Sequence, residues 1–294
     1  MLMEVKNQIK VTILSIKYAT MREMLNKASF LTNVLFMILN NASFILQWII
    51  LYSLKDNVGG YSLNQVMILW GLASSTYGFS HFFFAKATSL SDTITNGKLD
   101  AYLVQPKNVL ISAITSDVSS AALGDMAYGI IVLFASGITL TKFFLFIIFT
   151  ITGGIIVTSM AVILGSLSFW ISRADMIADT GNGLMINFST YPDGIFKGIT
   201  RVLFFTIIPV GIANYMPIWI ITKFDFGLTI IVLSVTFFIA FIAFFMFYKG
   251  LKRYCSSNLM IAKIWKGGRL KNNYNFLTRF VPKDRNDGKN GKKI

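Results

Sequence analysis

Apolar residues in this chain run in long uninterrupted blocks, and polar residues collect between them. A bilayer core about 30 Å thick needs roughly 20 apolar residues per helical crossing, and most of the blocks have that length. They predict spans at about 29–54, 63–85, 110–138, 143–171 and 226–248, with a shorter and only moderately apolar block at 176–190. Lys55, Asp56, Asn57 and Gly59-Gly60 make the turn between the first two spans, and 139–142 links the third and fourth. The stretch 191–222 differs, because Tyr191-Pro192-Asp193-Gly194, Pro209 and Pro217 interrupt it. Non-helical backbone at membrane depth survives only where protein or water shields it, so a re-entrant or outer-surface helical hairpin is expected there. The pattern predicts an all-α polytopic membrane protein whose six transmembrane helices lie within 29–250.

Two segments outside the spans carry patterns of their own. Leu2, Val5, Ile9, Ile13 and Ile16 share one helical face, with Lys6, Lys10 and Lys17 along its flank. Lysines beside an apolar stripe snorkel to headgroups, so 1–28 reads as an N-terminal interfacial amphipathic helix; a cytosolic helix packed on a partner is the other reading. The lysines interrupt any signal-peptide core. The loop 86–109 is polar and punctuated by Gly97 and Pro106. Within it, 88–97 can form a short helix with Ser89, Ser91 and Asp92 on one side and Leu90 and Ile94 on another. Such a helix under a membrane bundle is a surface on which a soluble motor can push, and a plain connecting loop is the alternative.

Composition narrows the function classes. Only 14% of the residues are charged against 54% apolar, where soluble chains carry roughly a quarter charged. The single cysteine, Cys255, forbids an internal disulfide and a Cys-rich metal site, and the single histidine, His81, leaves no bis-His haem pair. The Gly-Lys pairs at 97–98, 288–289 and 291–292 lack the rest of a nucleotide-binding loop. No metal, no cofactor and no enzymatic activity are therefore expected of this chain. The net charge of +14 points to topology and not to nucleic acid: 22 of the 27 Lys and Arg fall in 1–28, 86–109, 172–175 and 249–294. Basic residues are retained on the cytoplasmic side, which predicts that both termini are cytoplasmic. The basic tail, 251–294, either docks on anionic lipid or is a disordered segment that enforces topology.

Two carboxylates stand inside the third predicted span. Asp117 and Asp125, eight residues apart, lie about 80° from one another on a single helix. A carboxylate there costs about 2.5–3.5 kcal/mol and normally faces protein or a wet cavity. They are read as lining a cation-attracting path or a proton-linked site; the alternatives are that they hydrogen-bond neighbouring helices, or that Asp117 lies near the interface. Asn187, in the fifth span, and Tyr191, at the break after it, complete the candidates for a translocation path. His81, beside Phe82–Phe84, is read as structural.

Gly97-Lys98-Leu99-Asp100-Ala101-Tyr102-Leu103-Val104-Gln105-Pro106 resembles the signature that follows the second span in permeases of type-2 ABC exporters, in the bacterial ABC-2 family branch. Tyr191-Pro192-Asp193-Gly194-Ile195-Phe196, Ile208-Pro209-Val210 and Asn214-Tyr215-Met216-Pro217 resemble a second. The likeness extends to about residue 265. It implies a multi-pass permease of the bacterial plasma membrane with a cytoplasmic coupling helix in its first cytoplasmic loop. It also implies two separate ABC ATPase subunits carrying ATP and Mg, and a second permease subunit, identical or related. By that likeness Ser91, Asp92, Asp100 and Leu103 touch the ATPase, and the cargo is an amphipathic drug, lipid or peptide. The competing expectation is an ion- or proton-coupled secondary carrier working through Asp117 and Asp125; such carriers often show internal repeats, and none is evident between 1–147 and 148–294.

Overall fold

A computed structural model describes residues 2–137, 139–171 and 174–254, with side chains from residue 5. The basic tail lies outside the described residues, apart from 251–254. Twelve α-helices are described: α1 (Leu2–Glu23), α2 (Lys27–Leu54), α3 (Leu63–Phe83), α4 (Leu90–Thr95), α5 (Asp100–Leu103), α6 (Val109–Ile114), α7 (Ala121–Ala135), α8 (Leu140–Ser166), α9 (Ala174–Ser189), α10 (Ile199–Thr206), α11 (Met216–Thr222) and α12 (Phe226–Leu251). No β-strand occurs among the described residues.

Apolar side chains face outward as well as inward, as expected of a bundle solvated by lipid. On α12 the buried residues Val232, Thr236, Ile239, Ala243, Phe247 and Gly250 fall on one stripe, while Phe237, Phe241 and Phe245 face away from the protein. In α2 only Asn41, Ile45, Trp48 and Tyr52 are buried. Among the described residues three helical stretches are long and apolar enough to cross a bilayer, Lys27–Leu54, Leu140–Phe169 and Phe226–Leu251; Ile199–Thr206 and Gly211–Thr222 form a pair bent by 78°.

Helix α3 is the hub, packed on α2, α7, α8 and α9. Its polar residues Ser74, Ser75, Thr76 and Ser80 are buried within the protein, so its sequence is less apolar than those of the outer helices. Small residues make this possible. A Cβ on Gly78 would sit 2.7 Å from the Ala122 carbonyl oxygen of α7, and Ser80 Oγ lies 2.8 Å from Thr158 Oγ1 of α8.

The stretch 110–138 is not one continuous helix. It breaks between α6 and α7, at 115–120, where polar side chains compete for the backbone. Thr115 and Ser116 hydroxyls donate to the carbonyls of Ile111 and Ala113, and Asp117 accepts from the Val118 amide. Asp117 and Asp125 therefore do not share a helix.

Along this break runs α1. Its Gln8 accepts from the Asn108 amide (2.9 Å), Ser15 donates to the Thr115 carbonyl (3.0 Å) and Arg22 pairs with Asp117. The seven-residue steps Gln8, Ser15 and Arg22 put a polar face of α1 against the protein and leave Val5, Ile9 and Ile13 on the outside. The Arg22–Asp117 pair is half exposed, and such pairs contribute about 0–1 kcal/mol. Arg22→Ala is expected to leave the thermal midpoint of the detergent-solubilised protein within about 4 °C of the parent, by the stability-to-midpoint scaling of large domains.

Candidate transport cleft and coupling surface

A cleft of about 360 Å³ opens between α2, α3, α7 and α9. Its wall on α3 carries Trp70, Ser74, Tyr77 and His81, spaced to share one helical face over about 16 Å of helix. Asp125 stands in the middle. Asn41 Nδ2 donates to its Oδ1 at 2.7 Å, and Ser74 Oγ donates to its carbonyl oxygen at 2.9 Å. No described Lys or Arg forms an ion pair with it. Trp70 stacks on Phe44 with ring centres 5.1 Å apart, and its buried indole N–H has no hydrogen-bond partner among the described residues. Towards the other end of α2, Trp48 meets Tyr191 edge-on at 6.1 Å.

Of the four path candidates, the structure brings Asp125, Asn187 and Tyr191 to this one wall. Asp117 lies apart, held by Arg22 and by Lys86 at 3.4 Å. Sequence reasoning passed over Asn41 and Tyr77. The signal was there, since Trp70, Ser74, Tyr77 and His81 follow the helical repeat, but which face is concave depends on neighbouring helices.

At one end of the bundle the chain doubles back through α4 and α5. Leu90, Ile94 and Leu99 are buried in one apolar cluster with Ala161, Val162, Ala243 and Phe247 of α8 and α12. These apolar anchors turn Asp92, Leu103 and Val104 outward. Lys98 Nζ lies 2.7 Å from Asp92 Oδ2, and this contact holds the Asp92 carboxyl below the usual carboxylate range. Ser91 points the other way: it is buried, 2.5 Å from Ser168 Oγ. Asp100 accepts from Tyr254 (2.8 Å), whose hydroxyl is pushed up by burial and by that carboxylate. Tyr102 in turn donates to Ser116 at 3.0 Å. The α1 helix, the α4–α5 loop and the end of α12 thus meet at the same end of the bundle.

At the opposite end the 191–194 turn is clasped to the turn between α2 and α3. Asp193 is buried and accepts from Tyr61 (2.6 Å) and from Arg201 (2.8 Å). Trp219 donates to Tyr61 Oη at 2.8 Å, and Tyr52 to the Tyr61 carbonyl at 2.7 Å. Burial and the Asp193 carboxylate push the Tyr61 phenol well above its usual range. The clasp explains why Pro-Asp-Gly sits there: Asp193 supplies the acceptor, and Gly194 lies directly against the Gly59 carbonyl, where a side chain has no room.

The sequence profile of the family described as ABC-2 family transporter protein matches residues 28–258. The chain belongs to that family. No curated protein and no solved structure matches it. It is thus an all-α, multi-pass ABC-2 permease, of a family whose members work with ABC ATPase subunits and leave ATP hydrolysis to them. Within the match fall the cleft, the α4–α5 loop and the Asp193 clasp; α1 precedes it.

Proposed function

We propose that this ABC-2 permease is the membrane half of an ATP-driven exporter of the bacterial plasma membrane, carrying an amphipathic compound. Two ABC ATPase subunits supply ATP and Mg from the cytoplasm, and a second permease subunit, identical or related, completes the pathway. The chain crosses the membrane six times, taking α6–α7 as one broken span and α10–α11 as an outer re-entrant pair, with both termini and the α4–α5 loop cytoplasmic. The distribution of Lys and Arg supports this orientation, since α1 and 86–109 are basic segments at one end of the bundle.

The observation that carries the proposal is the construction of that loop. Leu90, Ile94 and Leu99 root it in α8 and α12, while Asp92, Leu103 and Val104 stand free of the bundle. A push on the outer face passes to two long helices through packed side chains, and packed interiors transmit displacement. Asp100 touches the ATPase from its place beside Tyr254, and Ser91 acts one step back, holding α4 on Ser168.

Co-expression with candidate ABC ATPase subunits of the same bacterium tests the assignment. Asp92→Arg combined with Val104→Asp is expected to abolish co-purification of the ATPase while the permease stays monodisperse. Retention of the ATPase by that double variant would remove the loop from the coupling role.

A further inference from the structure

We infer that the cleft around Asp125 is a binding site for a lipophilic organic cation, an amphipathic molecule with one delocalised or quaternary positive centre. This builds on the exporter reading and names the class of its cargo. The cleft combines three features. Among the described residues Asp125 is the one carboxylate on its wall, and neither Lys nor Arg lines it. Both hydrogen bonds to its side chain come from neutral groups, Asn41 and Ser74, so its charge is solvated but not neutralised. A charge inside a span is expensive unless it faces a partner or a wet cavity, and the cleft is where a positive partner can reach it.

The second feature is aromatic. Trp70, Phe44 and Tyr77 line the cleft with Asp125, and Tyr191 stands at the same wall beside Asn187. Aromatic faces attract cations, most strongly where water is excluded, and quaternary centres are their usual guests. They also take the apolar body of an amphipath, so charge and hydrocarbon are recognised side by side. The third feature is size: about 360 Å³ falls within the roughly 300–1,000 Å³ typical of small-molecule sites.

The other occupants fit worse. An anion meets Asp125 with no Lys or Arg among the described residues of the wall to compensate it. An inorganic divalent ion needs several hard oxygen or nitrogen donors, and no group of three His, Cys, Asp or Glu that could hold a metal lies among the described residues. The apolar cleft lined by Met160, Leu164, Met176 and Ile177 shows nothing that selects an occupant beyond lipid.

Tetraphenylphosphonium and tetraphenylborate have the same shape and opposite charge, and they make the test. The full chain in detergent micelles is dialysed to equilibrium against each radiolabelled ion, with empty micelles as the blank. The phosphonium is expected to bind saturably and the borate to show no saturable binding. Asp125→Asn is expected to weaken phosphonium binding at least tenfold, Asp125→Glu to retain it within about threefold, and Phe44→Leu to weaken it about three- to tenfold, on the scale of one lost cation–π contact. Equal binding of the two ions to the unaltered chain, or unchanged phosphonium affinity in Asp125→Asn, overturns the assignment. Should Asp125→Asn fail to give monodisperse protein, the comparison of the two ions on the unaltered chain decides alone. ATPase co-purification is scored in parallel. Phosphonium binding that depends on Asp125 without an associated ATPase keeps the site and removes the exporter reading, whereas an associated ATPase with charge-blind binding does the reverse.

Discussion

Gly194→Val is expected to leave little folded permease. The α-carbon of Gly194 faces the Gly59 carbonyl so closely that any Cβ would overlap it, and the Gly59 α-carbon would be within 3.2 Å of that Cβ. Overpacking a core usually costs about 1–3 kcal/mol because side chains shift to make room. Here the obstacle is backbone, and Gly59 itself has φ of +61° and Ile195 atoms 3.0 Å from the place a Cβ of its own would occupy, so neither turn can withdraw cheaply. The clash also pulls Asp193 away from Tyr61 and Arg201, and a buried polar group left unpaired costs a further 1–3 kcal/mol or so. The thermal midpoint of purified protein should fall by roughly 10 °C or more, at about 2–4 °C per kcal/mol for a large domain. Gly183→Ala is the matched control: nothing lies within 4 Å of its Cβ position, and the helix interior favours alanine. A Gly194→Val protein that melts with the parent would show that the 191–194 turn is not clasped to the 58–61 turn.

Leu99→Ala should uncouple the permease while sparing its attachment to the ATPase. Leu99 is fully buried between α4 and α5, in the cluster formed with Leu110, Val162 and Phe247. Truncation of a buried leucine costs about 2–5 kcal/mol, and in this loop the loss is local, since the residue anchors a short segment. Backbone amides of 90–104 should then exchange at least tenfold faster with solvent, as each 1.4 kcal/mol or so is a factor of ten. Asp92, Leu103 and Val104 are untouched, so the ATPase should still co-purify, with its stimulation by the permease reduced about tenfold. Unchanged exchange and unchanged stimulation would mean that Leu99 does not hold the loop.

These outcomes depend on features of unequal legibility. That the chain is a helical membrane protein followed from block length alone, because lipid forces every backbone group to be satisfied within the segment and only long apolar helices do so simply. The Gly97–Pro106 and Tyr191–Phe196 runs pointed to the family for a related reason: a turn needing glycine, or a carboxylate needed as acceptor, leaves a mark in residue type. Asp193 was legible as part of a helix break but not as the acceptor for Tyr61, which lies 132 residues away in sequence. Ser91 was assigned to the ATPase surface from its likeness to the family, and the structure turns its hydroxyl to Ser168. Periodicity places a residue on a helix without saying which side of the helix faces the bundle.

Asp117 and Asp125 show the division most clearly. Residue type alone requires a polar environment for both carboxylates, since the cost of a bare charge in lipid is local and independent of fold. It also sets the lipid-facing composition of α2 and α12 and the basic character of the end that bears α1. Folding then gives the two carboxylates different partners: backbone competition at 115–120 breaks the helix, leaving Asp117 to Arg22 and Lys86 while Asp125 joins Asn41, Ser74 and an aromatic wall. Concavity is a property of several helices at once, so a cleft exists only after α2, α3, α7 and α9 have packed.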